Sequence, residues 1–196
     1  RQMLLNHREY DQLQSQIAET HIHEIRTTLE SYASRPLLAQ AVRQKDVAGT
    51  RRHLLMLTRM HPNIDSVVIA DKNGTVWTAL PDRPDVLGKN FAFRDWYRGV
   101  SREWKSYIAE AVIRSTGEKD TAIHIAVPIF NDKKEVLGIL LCPLLAVEMG
   151  KILRRAPMEE GLFISVTARK GTLLYSRRYA HEKPLIRYPF FAEVSP

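Results

Sequence analysis

The chain has 196 residues, 44% hydrophobic and 26% charged, which suits one ordinary domain or two small ones and excludes a disordered chain. One cysteine, Cys142, excludes an internal disulfide framework and a zinc site built on two or more thiolates. The longest apolar run, Val136 to Val147, falls well short of the roughly 20 residues that a membrane-spanning helix needs.

The net charge of +7 raises nucleic acid as a partner. Basic residues come at most in pairs (Arg51-Arg52, Lys133-Lys134, Arg154-Arg155, Arg177-Arg178), with no zinc-finger spacing and no ribonucleoprotein strand, so we expect no nucleic-acid binding. Residues 150–196 carry nine basic and four acidic side chains, and anionic lipid headgroups account at least as well for this basic end. The chain opens on Arg1 and not Met, so we expect an excised or processed piece of a longer protein.

From Arg1 to about Arg35 there is no Gly or Pro. Apolar positions Leu13, Ile17, Ile25, Leu29 and Tyr32 recur at threes and fours or their multiples, which predicts one long amphipathic helix. Pro36 interrupts it, and shorter helices follow over Leu37–Gln44 and Val47–Met60. Ser66–Ala70 and Thr75–Ala79 read as a hairpin around Asp71-Lys72-Asn73-Gly74. Phe93–Val100 is a short helix rich in aromatics, and strands follow over Tyr107–Ile113, Ala122–Phe130 and Val136–Leu141. Ala146–Arg155 is a closing helix, and Leu162–Ala168 with Thr172–Ser176 forms a second hairpin. No strand–helix–strand alternation supports a parallel sheet. The expected fold is α+β: a long N-terminal helix, a PAS-like module on a five-stranded antiparallel sheet, and a second, smaller or truncated PAS-like module. The expected divisions are 1–62 for the helical spine, 63–156 for the main module and 157–196 for the start of the next.

Enzyme signatures are absent: there is no Gly-x-Ser-x-Gly elbow, Walker loop or dinucleotide glycine motif. His21 and His23 stand two apart on a helix and cannot share an ion, so we expect a solvated helix face and no metal site. Asp71 is explained by turn chemistry.

The informative segment is Leu87-Gly88-Lys89-Asn90-Phe91-Ala92-Phe93-Arg94-Asp95-Trp96-Tyr97-Arg98-Gly99-Val100. Arg94 offers a rigid fork of donors that matches a carboxylate, and Trp96 and Tyr97 add apolar walls, each with a polar handle. The same residues also fit plain amphipathic packing, with Arg94 paired to a local acid such as Asp95.

Gly88-Lys89-Asn90-Phe91 running into Arg94-Asp95-Trp96-Tyr97 resembles the recognition helix of double-Cache sensor domains. These are extracytoplasmic ligand-binding parts of bacterial chemoreceptors, histidine kinases and diguanylate cyclases. Ser66–Asp71 with Asn73-Gly74, Tyr107-Ile108-Ala109-Glu110, Ala126-Val127-Pro128-Ile129 and Leu137-Gly138-Ile139-Leu140 resemble that family's strands in order. The resemblance covers about residues 1–176. It implies that Arg94, Trp96 and Tyr97 clamp a ligand carboxylate in a membrane-distal module. The amino-acid-binding branch also carries a Tyr-x-Asp on the next strand and a later Asp, which hold the ligand amine. Here the corresponding strand reads Val112-Ile113-Arg114, and Gly138–Met149 contains no Asp.

If Arg94 and Arg114 both face the cavity, a small organic acid satisfies both; otherwise Arg114 points to solvent. Phe91, Tyr107 and His124 are further candidate ligand contacts. Asp120 is better placed in the Thr116–Asp120 turn, and His124, which alternates with Ile123 and Ile125, is better explained as a satisfied structural histidine than as a ligand contact.

The expectation is therefore a non-catalytic periplasmic domain of an inner-membrane sensor, without cofactor. It binds a small carboxylate and is joined to the membrane through flanking segments. The Leu13–Tyr32 stripe permits a homodimer. The rivals are a cytoplasmic PAS-like dimerisation module, an amino-acid-sensing domain and a hydrolase.

Overall fold

The computed structural model describes residues 2–62, 64, 66–110, 112–113, 121–145, 150–152, 165–167 and 173–176. The chain divides into two compact units, Arg1–Glu24 with Ala111–Ala122 and Leu145–Pro196, and Ile25–Glu110 with Ile123–Leu144.

The expected long N-terminal helix is α1 (Gln2–Ala33). At 1.5 Å per residue its 32 residues make a rod of about 48 Å. Its buried seam runs through Ala18, His21, Ile25, Leu29 and Tyr32, the three-and-four spacing of one helix face. His21 therefore corrects the expectation of a solvated face: it falls on the same stripe as Ile25 and Leu29 and is only 7% exposed, whereas His23, about 200° around the helix, is exposed. Pro36 opens α2 (Pro36–Gln44), Lys45 closes it in the left-handed conformation, and Asp46 caps α3 (Val47–Met60) by accepting from the Gly49 N–H at 2.9 Å.

His21 has a measurable consequence. Its Nε2 is buried with no hydrogen-bond partner among the described residues, and burial pushes its pKa below the ordinary 6.5, partly offset by Glu24. The native state then binds fewer protons than the unfolded one, so this contribution is present above about pH 6.5 and is lost as the pH falls through it. We expect the urea midpoint to drop between about pH 7.5 and pH 5.5, and His21→Leu to shrink that drop. His53, lowered in the same direction by burial, Arg35 and Arg52, keeps part of the slope in the variant.

The main sheet has the order β2 (Val76–Leu80), β1 (Val67–Asp71), β6 (Val136–Leu145), β5 (Thr121–Phe130), β3 (Tyr107–Ile108), with β4 (Val112–Ile113) also paired to β5. The strand expected over Tyr107–Ile113 is thus two short pieces on β5, Tyr107 opposite Ala126 and Val112 opposite Ala122. The expected α+β fold with five antiparallel strands is otherwise the one observed. Both faces of β1 are buried, as its continuous Val-Val-Ile-Ala run requires. On one face Val68, Ala70, Ile139, Leu141 and Ala126 pack beneath α4 (Asp95–Glu103) through Trp96 and Val100. On the other, α2 closes on the sheet where Gly138 faces Val42, and α3 packs on β2. Arg51 of α3 donates to the Ala79 carbonyl at 2.8 Å.

The second hairpin is present as β7 (Ser165–Thr167) paired with β8 (Leu173–Ser176). Of the expected closing helix, residues 150–152 are helical and the rest lies outside the described residues, as do most of 157–196. Among the described residues no helix is long and apolar enough to cross a membrane.

Candidate functional site

The expected site segment is built on the β1–β2 turn. Gly74 takes a positive φ of 84°, its N–H donates to Asp71 O, and Asp71 Oδ1 accepts from the Asn73 and Thr75 N–H groups at 2.9 Å. Gly74 alone in this turn needs the left-handed region, and Asn73 does not share it. The missing Cβ leaves room for Tyr97: an added carbon would lie 2.9 Å from its ring and 3.1 Å from the Ala92 nitrogen. The Tyr97 hydroxyl donates to the Lys72 carbonyl at 3.0 Å, so both ends of this ring are seated on the turn.

The chain stays extended through Asn90 and Phe91 before the helix starts. Phe91 N–H donates to Gly74 O, while the Asn90 amide donates to Asn73 O and Thr75 Oγ1. These bonds delay α4, which begins at Asp95 and not at Phe93. Arg94 is consequently the N-cap residue, with φ −78° and ψ 151°, at the end of α4 where unpaired N–H groups and the helix dipole favour an anion. It is half-buried and makes no ion pair among the described residues; its guanidinium carbon lies 5.2 Å from the Phe93 ring centroid.

Asp95 does not take the role of local partner to Arg94. Its carboxylate accepts the Glu110 N–H at 2.8 Å and faces the Tyr107 hydroxyl at 3.3 and 3.4 Å, tying the first turn of α4 to the residues after β3. Tyr107 in turn lies across Gly99, where a Cβ would collide with its ring. Glu110 holds its Oε2 away from solvent with no hydrogen-bond partner among the described residues.

Four of the seven expected site residues meet around one apolar cluster: Trp96 inside it at 4% exposed, and Phe91, Tyr97 and Tyr107 packed against it. Trp96 and Tyr97 make an edge-to-face pair with centroids 5.8 Å apart. Arg94 sits at the helix end beside them. His124 is half-buried on β5, turned away from buried Ile123 and Ile125, and its carbonyl accepts from Ala109 N–H at 2.8 Å. Arg114 and Asp120 lie outside the described residues. Sequence reasoning missed Asp95, Gly99 and Glu110. A glycine in the middle of a helix was the available signal for the close approach of Tyr107.

A separate open groove of about 620 Å³ is lined by Arg26, Glu30, Trp104, Ser106, Phe130 and Asp132 among others, and by none of the expected site residues. Among the described residues no group of three or more His, Cys, Asp or Glu is placed to hold a metal.

No family model matches the chain, and no curated protein sequence matches it. Solved structures do. The ligand-binding domain of the Pseudomonas fluorescens chemoreceptor CtaA, solved with L-valine, matches at a TM-score of 0.70 and 20% identity over 97% of this chain and 81% of that one. That of the Campylobacter jejuni chemoreceptor Tlp3, solved with L-norvaline, matches at 0.72 and 14% identity over 94% and 73%. An extracellular ligand-binding receptor from Desulfohalobium retbaense matches at 0.69 and 17% identity, this chain spanning 34% of its length. At these identities the likeness is one of architecture, and the chain has the fold of chemoreceptor and extracellular-receptor ligand-binding domains.

Proposed function

We propose that this chain is the extracytoplasmic sensing domain of a bacterial inner-membrane receptor, that it binds a small carboxylate at the first turn of α4, and that it acts by binding and not by catalysis. The observation that carries the reading is Arg94: a half-buried arginine without an ion pair among the described residues, at the open end of a helix and beside an aromatic cluster, in a fold shared with chemoreceptor ligand-binding domains. Arg94 supplies the donor fork, Trp96 and Phe91 the apolar walls, and Asp95 holds α4 and Tyr107 in register. Ligand then biases a two-state equilibrium, which the 1–62 spine and the 157–196 segment relay across the membrane to an output domain such as a kinase or cyclase, within a homodimer.

Two ligand classes follow from two different residues. The sequence expectation of Arg114 as a second cationic contact, a residue outside the described ones, favours an organic acid with two carboxylates. Glu110 favours an α-amino acid, because its buried Oε2 has no donor among the described residues and an ammonium group would provide one, and because the two chemoreceptor domains matched above were solved with amino acids.

A thermal-shift panel of mono- and dicarboxylates and α-amino acids tests the proposal. At about 100 times the dissociation constant, binding stabilises by about 2.7 kcal/mol, a rise of roughly 5–10 °C for a chain of this size. We expect a shift with carboxylate-bearing compounds. Glu110→Gln is expected to abolish the response to amino acids and leave any response to organic acids intact. A response to uncharged compounds alone would contradict the proposal.

A further inference from the structure

The α2–α3 hairpin carries a surface that the proposed site does not use. Five of the nine large apolar side chains exposed among the described residues lie on it: Leu37 at 67%, Val47 at 48%, Leu55 at 37%, Met56 at 51% and Met60 at 63%. The same stretch, Pro36–Met60, holds Arg43, Lys45, Arg51, Arg52 and Arg59 against one acid, Asp46, for a net +4 out of the chain's +7. Asp46 is already committed to capping α3.

The residues are ordered on the helix. With Leu54 and Leu57 buried inward, the solvent face of α3 is two adjacent rows at a spacing of four. One is Val47, Arg51, Leu55, Arg59; the other is Ala48, Arg52, Met56, Met60. All are exposed except Arg51, which is half-buried and bonded to Ala79 O and Asp82. Apolar and cationic side chains therefore interleave along both ridges.

Three occupants can be weighed by chemistry. A membrane-surface helix separates an apolar face from a basic one and anchors with aromatics; α3 mixes the two kinds on one face and contains no Trp, Tyr or Phe. A second copy docking by the same face would set these arginines against one another. An acidic protein surface meets both demands, since Arg and Met are enriched where protein interfaces are most deeply buried and opposite charge fixes the approach. We infer that the outer face of α3 is the docking surface for an acidic protein partner that presents Asp and Glu around an apolar centre.

The test is a random-peptide display selection on the whole chain, counter-selected on the double variant Arg52→Glu/Met56→Glu. Both positions are exposed, and an unchanged urea midpoint shows that the variant folds. The selection is expected to enrich peptides with an excess of acids around apolar residues. A synthetic peptide from it should bind the native chain at least about tenfold more tightly than the variant, and more weakly as salt rises from about 0.05 to 0.5 M. No enrichment, enrichment without an acidic excess, or equal binding to the variant overturns the inference. Self-association in sedimentation that is lost in the variant overturns it in favour of a second copy. Retention on phosphatidylserine vesicles that is lost in the variant overturns it in favour of a membrane.

Discussion

Replacing Arg94 by alanine is expected to abolish ligand binding while leaving the fold intact. A guanidinium that holds a carboxylate through two charge-assisted hydrogen bonds, at about 1.5–3 kcal/mol each, accounts for a loss of about 10²- to 10⁴-fold in affinity. Arg94 makes no ion pair among the described residues and sits at the cap of α4 without a side-chain cap bond, so stability should change by no more than about 1 kcal/mol. Titration calorimetry with whichever compound shifts the melting temperature, beside a urea melt of the free variant, separates the two quantities. Arg94→Lys should fall between native and alanine, since it keeps the charge and loses the planar fork. An Arg94→Ala protein that binds as tightly as the native chain removes the anion-binding role.

Gly99→Ala is expected to reduce stability by about 1–3 kcal/mol, although alanine is the better helix former, because the added carbon would occupy the space of the Tyr107 ring. In the Tyr107→Ala background the same substitution should change sign and stabilise by up to about 1 kcal/mol, since only the helix propensity then remains. The cycle of four urea melts reads this directly. Additive effects would mean that Tyr107 does not rest on Gly99, and the link from α4 through Tyr107 and Asp95 to Glu110 would lose its support.

The three N-terminal helices were legible because their signals are local. Pro36 stops one helix and starts the next, Asp46 caps α3, and the apolar spacing sets the buried face. The hairpin at Asp71–Gly74 was legible for the same reason: turn chemistry acts within four residues. The start of α4 was not, because what delays it is the pairing of Asn90 and Phe91 with a turn some 15 residues earlier. His21 misled because polarity was weighed before position; the three-and-four stripe that buries Ile25 and Leu29 buries it too. At the site, Arg94, Trp96, Tyr97, Phe91 and Tyr107 were named from composition and resemblance, and four of them share one cluster. Asp95 was read only as a local partner for Arg94 and Glu110 only as part of a strand motif, since a carboxylate's partner across the fold, here a backbone N–H 15 residues away, leaves no mark on its neighbours in sequence.

Equilibrium dialysis of the chain against a mixture of organic acids, amino acids, sugars and amines, with mass spectrometry of what the protein retains, tests the central claim most directly. The expected result is enrichment of one or a few small molecules that carry a carboxylate, seen with the native chain and absent with Arg94→Ala. Retention of only sugars or amines, or a carboxylate retained equally by both proteins, would contradict it.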